Sequence, residues 1–169
     1  MPFNLLKKYN DLLEIGAMSP RDRVNSLRAV FDRDIYNNPK FSFRKKPIYP
    51  TPKEDGDVKM DILFDHLTRR EVDKETKSRE FDNDRAQRLH WIRFHIEEKK
   101  RDEMLIYSVR EPNGLRTYIY DKVEKYVVIL EPLRTLDAYY LLTAYPVKGK
   151  DAKRNKFVKK YKRREMNVL

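Results

Sequence analysis

Up to about residue 100 the apolar positions recur at three and four, and beyond it they recur at two, so helices are expected before strands. Residues 3–15 (FNLLKKYNDLLEI) set Phe3, Leu6, Tyr9 and Leu13 at helical spacing, with Gly16 as a C-cap. Ser19-Pro20 reads as the N-cap and first-turn proline of a second helix running to about Asp34. Its stripe is Val24, Leu27, Val30 and Phe31, and the two segments together predict a helical hairpin. Residues 36–57 carry Pro39, Pro47, Pro50 and Pro52, which indicates an extended connector with room for one short strand.

A helix follows over about 59–70, with Met60, Leu63, Phe64 and Leu67 on one face. The almost wholly polar stretch 71–80 reads as a loop. A long helix over about 82–100 presents Ala86, Leu89, Ile92, Phe94 and Ile96. Four strands come next, at 104–110, 115–121, 125–131 and 138–145. Glu111-Pro112-Asn113-Gly114 makes a tight turn between the first pair, and short connections favour an antiparallel meander. The predicted class is α+β: N-terminal helices, a four-stranded antiparallel sheet, then a basic C-terminal helix or tail. Residues 1–57 form the hairpin and connector, and 58–169 the α+β domain.

Composition narrows the chemistry. The 169 residues include no cysteine, which removes disulfide scaffolds, Cys-based zinc sites and thiol catalysis. The four glycines (Gly16, Gly56, Gly114, Gly149) are too far apart for a dinucleotide or P-loop motif. No apolar run approaches a membrane span, and the opening MPFNLLKKYNDLL lacks a signal-peptide layout, so a cytoplasmic protein without a membrane partner is expected.

Charge is concentrated at one end. Residues 1–147 hold 28 basic and 25 acidic side chains, whereas 148–169 hold ten and two. Within that end Phe157 and Tyr161 stand four apart with Val158 beside them, which predicts a short docked helix. Lys153, Arg154, Lys156, Lys159, Lys160, Lys162, Arg163 and Arg164 would then point outward onto the phosphates of RNA. The alternative is a solvated tail that aids solubility.

Three histidines are available as titrating groups: His66, His90 and His95. A spacing of five turns His90 and His95 about 140° apart on a helix, which rules out an i,i+4 zinc pair. No other metal-ligand spacing occurs, and no metal or cofactor is implied. Metal-free RNA cleavage needs a base for the ribose 2′-OH, cations for the charged phosphorane and an acid for the leaving oxygen. His90 is the first choice for acid or base, with His95 or His66 as the second titrator. If Asp121 stands opposite Tyr126, Arg116 faces Glu131, with Tyr118 and Tyr120 following on the same face. That row either grips phosphate and stacks bases, or is a cross-strand ion pair with packed tyrosines. Thr143 adds a hydroxyl to the last strand, with Tyr145 two residues on. The E-x-K matches at Glu97-Glu98-Lys99 and Glu75-Thr76-Lys77 fall outside strands, where a restriction-type nuclease site does not want them.

The order of helix RAQRLHWIRFHIEE, strands LRTYIYD, KYVVILEP and YYLLTAYPV, then a basic tail, resembles the phage-associated branch of the barnase–EndoU–colicin–RelE-like nucleases. The likeness covers about residues 58–164. It implies a toxin-like, metal-independent endoribonuclease leaving a 2′,3′-cyclic phosphate, with His90, Arg116 and Thr143 in its site. By the same analogy the substrate is a tRNA or other structured RNA. EndoU itself uses two histidines and a lysine on its sheet side, whereas all three histidines here precede the sheet. The alternative is a non-catalytic phage or mobile-element module that binds nucleic acid or inhibits a host nucleic-acid-processing protein. Residues 1–57 would then dock a partner or inhibitor.

Overall fold

The computed structural model describes residues 3–51 and 59–169, so the connector segment 52–58 lies outside the described residues. A single 3₁₀ turn, Phe3–Leu6, stands where a helix through residue 15 is expected. Asn4 accounts for the difference. Its buried amide donates to the Glu14 carbonyl at 3.0 Å and accepts from the Glu14 amide at 2.8 Å, folding the segment back on itself. Asn10, at φ 62°, takes a left-handed turn that a continuing helix cannot contain. The segment is therefore a strap, and the hairpin is not formed.

Helix α1 (Pro20–Phe31) begins as the sequence indicates, with Ser19 Oγ accepting from the Asp22 amide at 3.2 Å. It widens into a π-turn over Asp32–Tyr36. Leu27, Val30 and Phe31 are buried, while Val24 is exposed. The connector holds two strands, β1 (Ser42–Phe43) and β2 (Lys46–Pro50), joined by Arg44 and Lys45 at φ 50° and 70°. Two successive positive φ values are the mark of a type I′ hairpin turn, here without glycine.

Helix α2 (Lys59–Thr68) buries Leu63 and Leu67 as expected. The predicted loop at 71–80 is instead a two-stranded ribbon, β3 (Arg69–Asp73) and β4 (Ser78–Phe81). Because β3 is exposed along its length, no buried face imposed an apolar alternation on its sequence. The predicted long helix over 82–100 is broken into α3 (Asn83–Ala86) and α4 (Trp91–Ile96). Between them the amides of Arg88, Leu89 and Trp91 bond three residues back rather than four. Trp91 Nε1 meanwhile donates to the Asp11 carbonyl of the strap at 3.1 Å.

The four strands of the second half form where the period-two pattern puts them: β5 (Met104–Glu111), β6 (Gly114–Asp121), β7 (Tyr126–Pro132) and β8 (Tyr139–Pro146). Asp121 stands opposite Tyr126, the register expected from the sequence. The α+β class holds, but the sheet has six strands, in the order β1-β2-β8-β7-β6-β5. The extra pair enters because β2 runs parallel to β8, matching Ile48–Pro50 with Tyr139–Leu141.

One face of this sheet, with Ile119, Tyr126, Val128 and Leu130, packs on Leu13, Phe31, Leu63, Leu89 and Ile92. Residues from 1–57 and from 58–169 thus contribute to one apolar cluster. The other face is covered by the C-terminal helices α5 (Gly149–Lys153) and α6 (Lys156–Lys162). Phe157 is 1% exposed, its ring 5.6 Å from Tyr118 and 5.4 Å from Tyr120. Tyr107 donates its hydroxyl to the Phe157 carbonyl at 2.7 Å. The basic segment is therefore a docked element, as its internal stripe indicated.

Replacing a fully buried phenylalanine by alanine removes apolar packing and leaves a cavity, at a cost of about 3–5 kcal/mol. Phe157→Ala is expected to lower the urea midpoint accordingly and to expose the α6 amides to exchange ahead of the β5–β8 amides. An unchanged midpoint would show that α6 is not part of the cooperative core.

Candidate nucleic-acid interface

The last β2–β8 match is Pro50 with Leu141, so among the described residues the outer edge of 142–146 has no strand neighbour, and α2 and α3 pack against β8. On its inner side β8 slips register: Thr143 pairs with Ile129 but Leu141 with Leu130, which leaves Leu142 as a bulge. The slip puts Thr143 in one row with Ile129 and Tyr118, on the face that α6 partly covers.

Arg85 reaches this row from α3. Its Nη1 donates to the His66 carbonyl at 2.8 Å, the Arg69 carbonyl at 3.1 Å and Thr143 Oγ1 at 3.3 Å. The guanidinium lies 5.2 Å from the centre of the Tyr145 ring. Only 15% of the side chain is exposed, and its nearest carboxylate, Asp82, stands 3.6 Å from Nε without a hydrogen bond. Burial pushes the Arg85 pKa down, the reverse of what a close ion pair does. Buried cations are ordinarily paired and fully hydrogen-bonded; Arg85 has the Asp82 pair, but its Nε makes no hydrogen bond among the described residues.

Beyond Thr143 a cleft of about 330 Å³ is lined by Glu111, Arg116, Tyr118, Ile129 and Lys160. Arg116, Tyr118, Thr143 and Lys160, all singled out from the sequence, thus share one concavity. Arg116 makes the cross-strand pair with Glu131 at 3.3 Å. Glu111 accepts from the Tyr118 hydroxyl at 2.9 Å and pairs with Lys160. Burial alone would raise the Glu111 pKa, but Lys160 and Tyr118 hold it below the usual carboxylate range. Lys160 therefore points inward, whereas Lys153, Arg154, Lys159, Lys162, Arg163 and Arg164 are exposed. Lys156 is partly buried and pairs with Asp151 at 3.4 Å.

The expected stacking row is closed. Tyr118 and Tyr120 are 4% and 5% exposed beneath Phe157, and Tyr145 lies between Phe157 and Arg85. The rings of Tyr118 and Tyr120 present no open face to a base, whereas Tyr145 stays partly exposed.

The histidines do not converge. His95 is fully buried, with Nδ1 2.7 Å from the Trp91 carbonyl and Nε2 2.8 Å from Asp121 Oδ2, so both nitrogens face acceptors inside the fold. His90 donates Nε2–H to the Lys8 carbonyl at 3.1 Å, and its buried Nδ1 has no partner among the described residues. It lines a separate cleft of about 530 Å³ with Tyr9, Arg33, Asp34 and Arg93, apart from the residues around Thr143. His66 is the histidine that adjoins Arg85, through its backbone carbonyl. His66 lies on α2, His90 at the N-cap of α4 and His95 within it, so no single helix relates all three, and a spacing of five would turn His90 from His95 on a continuous helix as well. Among the described residues no three His, Asp or Glu side chains group as a metal-holding set.

Asp121 anchors the opposite face. Its Oδ2 accepts from Tyr9 Oη at 2.9 Å and from His95, and Lys100 Nζ lies 2.7 Å away. Its Oδ1 accepts the amides of Val123 and Glu124, each at 3.0 Å. Burial opposes the charged form, yet the hydrogen bonds from His95, Lys100, Glu124 and Tyr9 outweigh it and hold the carboxyl well below its usual range.

Arg85 carried no sequence signal, since a polar residue between apolar helix positions reads as solvated. Its nearness to Thr143 depends on where β2 ends and α3 stops. Comparison with known proteins finds no family model, no curated protein and no solved structure that matches this chain. Among the described residues no helix is long and apolar enough to cross a membrane.

Two buried groups contribute to the acid response with the same sign. Burial lowers the His90 pKa below its ordinary 6.5, so the unfolded chain takes up the proton first and stability falls as pH drops from about 6.5. Asp121, depressed below 3.8, adds a second loss at much lower pH. The urea midpoint is expected to fall between pH 7.5 and 5.5, and by less in His90→Gln. Asp121→Asn should cost about 3–5 kcal/mol at neutral pH, because Lys100 then loses a buried counter-charge.

Proposed function

We propose that this protein binds RNA, holds a phosphodiester against Arg85, Thr143 and Arg116, and cleaves it without a metal by attack of the neighbouring 2′-OH. The observation that carries this reading is the incompletely paired Arg85 guanidinium seated on the Thr143 hydroxyl. A phosphate oxygen would give Arg85 Nε the hydrogen-bond acceptor it lacks, beside the Asp82 carboxylate at 3.6 Å, and charge-assisted bonds of this kind are the strong ones. The resemblance to metal-free nucleases in element order and in the T-A-Y-P strand ending points the same way.

In such a reaction the 2′-oxygen forms a bond to phosphorus as its proton leaves to a base. The bond to the 5′-oxygen breaks, that oxygen takes up a proton, and a 2′,3′-cyclic phosphate remains. Arg85, with Arg116 beyond Thr143, stabilises the extra negative charge of the phosphorane. His66 adjoins this site through its backbone carbonyl alone and lines a different cleft with Asp65, Glu71 and Arg79, so His66→Ala tests whether it titrates for this reaction. His90, the first choice from the sequence, and His95, one of the two second choices, are bound into the fold on the opposite side of the sheet. The exposed cations of α5–α6 recruit the RNA backbone.

A second reading, a binding module without catalysis, is favoured by the absence of two converging histidines among the described residues. One experiment separates the two. Wild type, Arg85→Lys, Arg85→Ala, Thr143→Ala and His66→Ala are incubated with total RNA in EDTA, and the products are tested for cyclic phosphate ends. The cleavage reading expects cutting by wild type and a loss of about 100-fold in Arg85→Ala, with partial rescue in Arg85→Lys. No cutting, with salt-sensitive RNA binding that is weakened in Arg85→Ala, establishes the binding module. No binding at all overturns both.

A further inference from the structure

Three residues on from Tyr140, Thr143 would face the other way in a regular strand. The bulge at Leu142 removes that difference. Tyr140 pairs with Glu131 and Thr143 with Ile129, two residues apart on β7, so both side chains stand on one face. The row through Tyr140 crosses the sheet from Arg116, ion-paired with Glu131 at 3.3 Å, to Tyr140 and on to its β2 partner Tyr49. The preceding match, Ile48 with Tyr139, is buried in the core, which puts Tyr49 and Tyr140 on the opposite face, the one α6 covers only in part.

Unlike Tyr118 and Tyr120 beneath Phe157, these two rings are open. Tyr49 is 47% exposed and Tyr140 is partly exposed. Neither belongs to an apolar cluster, and neither side chain makes a hydrogen bond or ring contact among the described residues. They lie beside the cleft lined by Arg116, Leu142 and Thr143. Paired bases hide their faces inside a duplex, whereas an unpaired strand splays its bases onto aromatic side chains. Resting on the RNA-binding reading above, we propose that Tyr140 and Tyr49 form a stacking platform for the bases of an unpaired RNA segment whose phosphate lies at Arg85 and Thr143.

The spacing suits successive nucleotides. The Thr143 and Tyr140 rows are two strand steps apart, about 7 Å, and Tyr49 lies one strand further, about 5 Å. A nucleoside joined to the phosphate at Thr143 therefore reaches Tyr140, and the next reaches Tyr49. Arg116 offsets the Glu131 charge within the row, so that carboxylate does not repel the strand. Tyr49 comes from β2, outside the stretch 58–164 that carries the family resemblance, and meets Tyr140 only because β2 adds in parallel to β8.

The test uses the full chain and three 2′-O-methyl oligonucleotides, which lack the attacking hydroxyl and stay intact. They are an unpaired strand, a strand of equal length and charge with abasic sugars in place of its central nucleotides, and a blunt duplex of the same sequence. Binding is followed by fluorescence anisotropy across a salt series. Wild type should bind the unpaired strand roughly tenfold more tightly than the abasic one, and more tightly than the duplex. Tyr49→Leu and Tyr140→Leu remove the ring but keep apolar bulk. Each should weaken binding of the unpaired strand about fivefold or more, the low end for one lost base stack. Affinity for the abasic strand, the salt slope and thermal melting should stay as in wild type, and Tyr49→Phe and Tyr140→Phe should bind normally. Equal affinity for the base-bearing and abasic strands overturns the platform, and so does undiminished binding by both leucine variants. If Arg85→Ala weakens every strand while the leucine variants bind as wild type, the RNA reading stands and the platform falls. If wild type binds none of the three, the RNA reading itself fails and the platform with it.

Discussion

The buried carboxylate of Asp121 is the constraint on which the arrangement of this molecule rests. A charge with no solvent exposure is tolerated only when its acceptor sites are filled. Here the donors come from separate parts of the chain: Tyr9 from the strap, His95 from α4, Lys100 from the turn beyond it, and two amides from the β6–β7 connection. The same residue thus closes a β-turn and ties the N-terminal strap and α4 to the end of β6. His95, which from sequence alone is a reasonable acid or base, is committed to this network.

On the other face the organising group is apolar. Phe157 enters a box of tyrosines and fixes α6 across part of the sheet. What α6 leaves uncovered is the strip around Thr143, bounded by Arg116, Glu111 and Lys160. The free half of the β8 edge admits α3 from the other side and delivers Arg85 to Thr143. The candidate interface therefore results from two terminations: α6 stops short of Thr143, and β2 stops short of residue 142. Neither the strap nor the His90 cleft contributes to it.

Much of the strand order was legible because a half-buried strand must alternate, and β5–β8 do. The Arg116–Glu131 pair was legible for the same reason, since register follows once one cross-strand match is set. The docked α6 is signalled by Phe157, Val158 and Tyr161 amid the lysines. The ribbon leaves no such trace, because β3 has no buried face. The strap reads as a helix because its apolar spacing is helical, whereas Asn4 pairs with the Glu14 backbone and overrides that local preference.

The sequence by itself therefore determined the period-two strands β5–β8, the α+β class, the β6–β7 register once one match was set, and the concentration of positive charge at one end. These depend on neighbours one to four residues apart, or on a repeating match across one strand pair. Only the tertiary structure decided which histidines face the interior, that Tyr118 and Tyr120 are roofed over, and that Arg85 meets Thr143. Those outcomes depend on residues tens of positions apart, such as the 58 that separate Arg85 from Thr143. No local periodicity encodes such meetings, because they follow from where each element ends and what then closes over it.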